Sequence, residues 1–310
     1  MKDEIDACYS LFQQPWWLDI VAEGNWNAVT VTKAGETRAR LPYLMRSKIG
    51  TTLSMMPPLT PRLGPWIAPQ NGKYVTQLTN EKRYLEDLIE QLPDVDYFKQ
   101  NFHPQQTNWL PFYWAGFEQT TRYSYIIEDI RDTDGVWSGI KGNIRREIRK
   151  AREILSIEEE TNTDRLWQLH KKTFERQDDS PNHSKQIIQK ITRTVLDREC
   201  GMVLAAYDDK GNPHAAILVV WDANSAYYLL GGADPELRNS GASSYLLWQA
   251  IKRLSGTTCA FDFEGSMIKP IERFFRAFGA RQVPYFQITK KSKKMKSVLN
   301  VKSLIDPITS

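Results

Sequence analysis

The chain has 310 residues, of which 41% are hydrophobic and 25% charged, and its formal net charge is +4. This composition is typical of a soluble globular protein of about two domains, and it excludes disordered, fibrous and low-complexity chains. The longest apolar runs, such as 215–221, are far shorter than the roughly 20 residues of a membrane span, and no apolar run follows the charged N-terminus, so we expect a cytoplasmic protein.

The first half alternates predicted helices and strands. Pro15 is typical of the first turn of a helix, and a Gly-containing connection at 33–36 indicates a hairpin. The predicted strands are 26–32, 37–43, 97–102 and 121–127, and the predicted helix is 80–91.

A proline-rich segment interrupts these elements at 55–66. Its four prolines and one glycine exclude a regular helix and a central strand. Two interpretations remain open, a surface connection and a binding loop, and the methionines and tryptophan favour packing against other parts of the protein.

The second half begins after a polar break at 132–135, which predicts domains of 1–137 and 138–310. A helix is predicted over 140–155, because Ile144, Ile148 and Ala151 recur on one face. Arg145 and Arg149 lie beside that face. They form either an ordinary solvated surface or a site for an anionic substrate.

The remaining elements predict an α/β domain with a mixed sheet, in the order β-β-β-α-β-α-β. Tight turns join the first three strands into an antiparallel meander, whereas a connection through a helix makes neighbouring strands parallel. After a helix at 164–176, the predicted strands are 202–207, 214–221, 225–230, 259–263 and 283–289, and the predicted helices are 242–254 and 271–278.

A glycine-rich segment, 231–243, precedes the helix that begins at Ala242. Small residues there leave backbone N–H groups open at the positive end of the helix dipole, where Arg238 could also hold a phosphate. Alternatively, Ser240 caps the helix and Gly231 and Gly232 end a strand without any ligand.

This order of elements, with a glycine at that helix start, resembles the GNAT acyltransferase fold. In that family the loop holds the coenzyme A pyrophosphate through a pattern like Gln/Arg-x-x-Gly-x-Gly/Ala. Arg238 and Gly241 match it, whereas Ser243 stands where the family has glycine or alanine. The resemblance implies acyl-CoA, such as acetyl-CoA, as donor, held by Gly231, Gly232, Arg238, Asn239, Ser240, Gly241, Ala242 and Ser243.

Five stretches are similar to the FemABX branch of this superfamily, at 12–17, 57–65, 143–151, 261–266 and 274–280. The third is similar to that branch's Arg-x-x-Ile-Arg-Lys-Ala signature. The resemblance implies two tandem GNAT-like domains. It also implies transfer of an aminoacyl group from aminoacyl-tRNA to a peptidoglycan precursor, or of an acyl group from acyl-CoA.

Acyl transfer to an amine needs a base, donors for an oxyanion and a proton source. Asp262 and Glu264 alternate with phenylalanines on a predicted strand, so both are candidates for the base, unless they pair with Arg273 or Arg276.

Tyr228 and Tyr285 are candidate proton donors, although tyrosines in strands often belong to the core. The four histidines are scattered without triad spacing. Arg176, at a predicted helix end, suits binding of a phosphate or carboxylate, or stabilises the helix dipole.

Cys8, Cys200 and Cys259 lie far apart, with no Cys-x-x-Cys spacing, so we expect buried free thiols and no metal site.

Two functions from different classes follow. The first is an N-acyltransferase whose site lies between the domains near 231–243, with an anionic donor or acceptor that includes tRNA. The second is a catalytically inactive GNAT-fold ligand-binding protein. The five lysines between 290 and 296 suggest in addition either attachment to a membrane surface or RNA, or a solvated tail.

Overall fold

A computed structural model describes residues 4–48, 50–175, 183–265 and 267–296. The chain divides into two compact units. The first unit comprises Met1–Arg122 and Pro284–Ser310, and the second unit comprises Tyr123–Val283.

The first unit contains a three-stranded sheet and four consecutive strands of a larger sheet. Its helices are α1 Pro15–Val21, α2 Tyr74–Gln91 and α3 Leu110–Trp114, and its strands are β1 Trp26–Lys33, β2 Glu36–Leu44, β3 Arg46–Lys48, β4 Thr51–Ser54, β5 Trp66–Ile67 and β6 Tyr97–Asn101. Two further strands, β7 Glu118–Ile127 and β13 Arg281–Lys291, contain the boundaries between the units. Pro15 is the first residue of α1, as predicted.

Strand order in the first unit is β1-β2-β5 in one sheet and β3-β4-β6-β13 in the other. The pair β4–β6 is parallel, whereas β6–β13 is antiparallel. A buried core that includes Leu41, Leu85, Phe98 and Phe112 packs α2 against these strands.

The second unit contains six consecutive strands of the larger, mixed sheet together with helices. Its helices are α4 Thr133–Gly139, α5 Gly142–Ile154, α6 Thr163–Glu175, α7 Lys185–Asp197, α8 Ala242–Leu254 and α9 Lys269–Arg276, and its further strands are β8 Ser156–Glu159, β9 Gly201–Tyr207, β10 Pro213–Trp221, β11 Ser225–Ala233 and β12 Ala260–Asp262. Strand order is β7-β12-β11-β10-β9-β8.

The predicted meander is confirmed, because β9, β10 and β11 pair antiparallel, and β11 pairs parallel with β12 across α8. The core includes the predicted helix face, with Ile144, Ile148 and Ala151 all buried. The fold is therefore α/β with a mixed sheet.

Several elements differ from the predictions. Helix α7 and the short strands β3, β4, β5 and β8 were not predicted from the sequence. The helix had a readable signal, since Ile188, Ile191 and Val195 are buried on one face and Ser184 caps it. Cys259 is exposed rather than buried, because it precedes the short strand β12.

The two units differ from the predicted division into 1–137 and 138–310. Residues 123–137 lie in the second unit, and the last strand lies mainly in the first unit. The reason is hydrogen bonding: Gln287 to Lys291 of β13 pair with Asn101 to Tyr97 of β6. No helix among the described residues is both long and apolar enough to cross a membrane.

Candidate functional site

The centre of the second unit is a junction between two parallel strands that separate. Strand β11 pairs with β12 only from Ser225 to Tyr227, opposite Ala260 to Asp262. Beyond that point β11 continues to Ala233, whereas β12 ends and the chain turns away through positive φ angles at Glu264 and Gly265. We call the surroundings of this opening the second-unit junction.

Asp262 and Glu264 lie at this junction in different environments. Asp262 is 4% exposed, and its carboxylate accepts hydrogen bonds from the Ser124 hydroxyl and, at 2.6 Å, from the Glu264 N–H. Glu264 is half-buried and lies beyond the strand, so the two carboxylates do not project from one continuous strand. Arg276 pairs with Glu272 at 2.6 Å. The carboxylate of Asp262 therefore holds the turn, and Glu264 is the more exposed residue of the two, although its Oε1 atom is buried.

Tyr228 borders the same opening. Burial, and to a smaller extent the negative charge of Glu264, raises the pKa of Tyr228 to about 12, so its phenol stays protonated at neutral pH. A Cβ at Gly231 would lie 2.0 Å from the Tyr228 hydroxyl oxygen, so the absence of a side chain at Gly231 leaves room for that hydroxyl. Tyr228 therefore lies close enough to Glu264 to feel its charge, whereas Tyr285, the other predicted proton donor, lies in the first unit.

Helix α6 covers the end of β11 through a histidine to which the sequence analysis assigned no role. Nδ1 of His170 lies 3.0 Å from the Gly231 carbonyl oxygen, and because a carbonyl only accepts, Nδ1 carries the proton. Burial lowers the pKa of His170. A Cβ at Gly232 would lie 2.2 Å from the His170 backbone nitrogen, so Gly232 allows the helix to pack directly on the strand.

The predicted anion-binding loop forms a short 3₁₀ turn, Arg238–Ser240, followed by Gly241 as the N-cap of α8. Gly241 has a φ of 76°, a left-handed conformation that suits glycine. Ser240 accepts a long hydrogen bond from the Ala242 N–H, at 3.4 Å. Arg238 and Asn239 are exposed, whereas Ser243 is half-buried.

Helix α5 lies over the start of α8. The Ser244 hydroxyl donates to the Glu147 carboxylate at 3.1 Å, and a Cβ at Gly241 would lie 3.0 Å from the Glu147 carbonyl oxygen. Arg145 is half-buried on α5, and the Arg149 guanidinium lies 5.5 Å from the Trp137 ring centre. Arg176 lies outside the described residues.

A second opening lies wholly within the first unit. Strand β4 pairs with β6 only at Leu53 and Ser54, and the proline-rich segment then leaves β4 and returns to β6 through a bridge between Leu63 and Phe102. We call this the first-unit junction. It encloses a cavity of about 290 Å³ lined by Met55, Met56, Lys99, Asn101, Arg122, Tyr285 and Gln287.

The lining of this cavity is cationic and amide-rich. Lys99 and Arg122 are half-buried, and no lining residue is a carboxylate. Asn101 accepts from Gln287 at 2.8 Å and donates to the Pro61 carbonyl at 3.1 Å, so both carboxamides are fixed in place. This cavity was not predicted from the sequence, although Met55 and Met56 lie in the proline-rich segment 55–66.

A buried arginine packs against Tyr285, which lines the cavity. Arg62 is 3% exposed, and its guanidinium lies 3.7 Å from the centre of the Tyr285 ring. Burial and the charge of Arg62 lower the pKa of His103 to about 3, so this histidine is neutral. Tyr285 is therefore part of a cation–aromatic contact, and the proline-rich segment packs into the unit.

The lysines near the end of the described chain make local contacts. Lys294 lies 3.6 Å from Asp96 and donates to the Gly50 carbonyl at 2.6 Å. Lys296 lies 3.9 Å from Glu118, and Lys290 lies 4.7 Å from the Phe117 ring centre. Attachment to a membrane surface or RNA through these lysines stays a prediction.

Comparison with protein families identifies one matching domain. Residues 138–268 match the family described as acetyltransferase (GNAT) domain. This match covers α5 to β12, and therefore Tyr228, Asp262 and Glu264 of the second-unit junction, but not Ser124. No significant match was found among curated protein sequences.

Solved structures with a similar fold extend over most of the chain. FemX is 13% identical, with 89% of this chain and 91% of that chain covered and a TM-score of 0.67. The C-terminal domain of a protein described as a lysylphosphatidylglycerol synthetase, from Agrobacterium fabrum, is 12% identical, with 92% and 91% covered and a TM-score of 0.56. A tandem GNAT protein from the clavulanic acid biosynthesis pathway is 10% identical, with 86% and 82% covered and a TM-score of 0.50. At these identities the likeness concerns the fold.

Proposed function

We propose that the protein transfers an acyl or aminoacyl group to an amine, because residues 138–268 match an acetyltransferase (GNAT) domain and the fold of the chain is similar to that of FemX. The observation that carries the proposal is the second-unit junction. There Tyr228, protonated at neutral pH, and the half-buried carboxylate of Glu264 adjoin the open end of β11.

The proposed chemistry needs one proton to move from the amine to the leaving group. The amine nitrogen attacks the acyl carbon, its proton passes to the Glu264 carboxylate, and the bond to the leaving atom breaks as Tyr228 gives that atom a proton. The proton on Glu264 then restores the Tyr228 hydroxyl. Such transfers contribute about 10²- to 10⁴-fold to the rate.

Coenzyme A is the donor that GNAT folds generally bind, so its fit to this chain needs a test. The open N–H groups at the start of α8 would hold the pyrophosphate, with Arg238 adding charge. However, Ala242 and Ser244 are 5% and 3% exposed, and Glu147 places a carboxylate beside Ser244. The start of α8 therefore does not fit the diphosphate of coenzyme A.

The cavity of the first-unit junction supports an anionic substrate. Two cations, two fixed carboxamides and no carboxylate line it, which is the donor set that a phosphate or carboxylate requires. We propose that it binds the anionic group of the acceptor. A cell-wall precursor is one acceptor of this class.

The test compares two carboxylates that the sequence analysis treated alike. Glu264→Gln should lower kcat/KM for acyl transfer about 100-fold with little change in stability, because it removes the base. Asp262→Asn should instead lower the free energy of unfolding by about 1–3 kcal/mol, because Asp262 accepts from Ser124 and the Glu264 N–H.

The assay would use an aminoacylated minihelix RNA and acetyl-CoA as alternative donors, with a panel of primary amines, and Glu236→Gln as an exposed control. A rate in Glu264→Gln equal to that of the wild type would remove Glu264 from the mechanism. Failure of every donor and acceptor in the wild type would favour the second candidate, an inactive ligand-binding protein of the same fold.

A further inference from the structure

Coenzyme A would need two kinds of free backbone group in the second unit. Its diphosphate would require open N–H groups at the start of α8, and the amides of its pantetheine arm would require free N–H and C=O groups along the end of β11, as in the addition of a strand. The start of α8 and the end of β11 both lie within the GNAT domain.

A carboxylate of the protein itself lies at the start of α8. Glu147 on α5 accepts from the Ser244 hydroxyl at 3.1 Å, in the first turn of α8. Since that turn is the positive end of the helix dipole, the Glu147 carboxylate occupies the charge position that a phosphate would take. Ala242 and Ser244 are buried in this turn and Ser243 is half-buried, so a phosphate approaching the Ser243 N–H group would meet the negative charge of Glu147.

Side chains of α6 occupy the backbone groups at the end of β11. The Gly231 carbonyl accepts from His170 Nδ1 at 3.0 Å, and the Ala233 N–H donates to the Thr173 hydroxyl at 3.1 Å. His170 is 5% exposed, and its Nδ1 must carry the proton to make this bond. A pantetheine arm would have to displace both side chains to pair with these backbone groups.

We infer that this chain excludes coenzyme A thioesters as acyl donors, and that Glu147 is the residue that excludes the diphosphate from the start of α8. The inference rests on the proposed acyl transfer, because it assigns the donor class of that reaction. The donor is an activated acyl group that brings no diphosphate to α8. His170 and Thr173 reinforce the exclusion by holding the end of β11.

The experiment is a calorimetric titration with coenzyme A of the full chain, of Glu147→Gln and of Glu153→Gln. Glutamine keeps an acceptor for Ser244 but removes the charge, and Glu153 is an exposed carboxylate on the same helix, so its variant controls for net charge. Coenzyme A should bind Glu147→Gln at least tenfold more tightly than the wild type. Glu153→Gln should bind it as weakly as the wild type.

Two results would overturn the inference. One is saturable binding of coenzyme A to the wild type with an affinity equal to that of Glu147→Gln. The other is an absence of any gain in Glu147→Gln while circular dichroism shows it folded, because the carboxylate would then not be what excludes the diphosphate.

Activity measurements separate this inference from the proposed function. Acyl transfer from acetyl-CoA by the wild type would refute the exclusion and leave acyltransferase activity established. Transfer from the aminoacylated minihelix but not from acetyl-CoA would support both. If neither donor reacts, the proposed function fails, while the coenzyme A titration still decides the role of Glu147.

Discussion

The two junctions share a topology but carry opposite charge. In each unit a parallel pair of strands, β4–β6 or β11–β12, is paired over only two or three residues and then separates. The first-unit opening is lined by Lys99 and Arg122, whereas Asp262 and Glu264 lie at the second-unit opening.

This arrangement of strands therefore provides a place for a ligand but does not determine which ligand binds there. Strands that separate leave backbone groups and space, and the side chains at the opening then set the chemistry. A cationic opening suits an anion, and a carboxylate beside a protonated phenol suits proton transfer from an amine.

The largest expected effect concerns the glycines that allow close packing at the two junctions. Gly232→Ala should cost more than about 3 kcal/mol of unfolding free energy, because the new Cβ would lie 2.2 Å from the backbone of α6. Gly64→Ala in the first unit should cost about 1–3 kcal/mol, because Gly64 has a φ of 82° and the new Cβ would lie 2.6 Å from the buried Phe102 ring.

Urea denaturation measures the free energy of unfolding of both variants. Gly256→Ala is the control, because a Cβ at Gly256 meets nothing within 4 Å. Equal costs at Gly232 and Gly64 would mean that the two junctions are packed alike, contrary to the comparison.

The second effect concerns the pH dependence of the free energy of unfolding. Each unit contains a histidine that is neutral in the folded protein. His103 in the first unit has a pKa lowered to about 3, and the pKa of His170 in the second unit is also lowered. Because the unfolded chain binds protons that the folded chain does not, the free energy of unfolding should fall as pH falls below about 6.5, by roughly 1 kcal/mol per pH unit for each such group.

Urea denaturation at pH 7, 6, 5 and 4 would check this dependence in His103→Asn and His170→Asn. Each variant should reduce the slope, and His103→Asn should continue to do so at the lowest pH, because the pKa of His103 is near 3. A slope in His103→Asn equal to that of the wild type would show that His103 titrates normally.

The smallest effect on stability is expected on α5, outside both junctions. Arg149→Ala should lower the free energy of unfolding by less than about 1 kcal/mol, since Arg149 is exposed and its guanidinium lies over the Trp137 ring at 5.5 Å. As a proposed substrate contact, however, Arg149 should matter for KM, which we expect to rise about tenfold at low salt and much less at high salt. An unchanged KM at both salt concentrations would leave Arg149 as part of a solvated surface.

Local sequence patterns determined most of the second unit. The alternation of apolar residues, the turn residues and the helix periodicity predict β9, β10, β11, α8, β12 and α9, and the length of the α8 connection predicts that β11 and β12 are parallel. They succeed because each depends on residues within a few positions of one another. The same patterns place Tyr228 and Asp262 on neighbouring strands, β11 and β12.

Tertiary structure alone decided how those residues differ and which others join them. Ser124 and a backbone N–H bind Asp262, whereas Glu264 lies beyond the end of the strand, and Glu147 reaches Ser244 from a distant helix. Likewise, Met55, Lys99, Arg122 and Tyr285 line one cavity because β13 pairs with β6. Periodicity specifies which face of an element is buried, but not which distant element covers it, and the charge and hydrogen bonds of a site depend on that second choice.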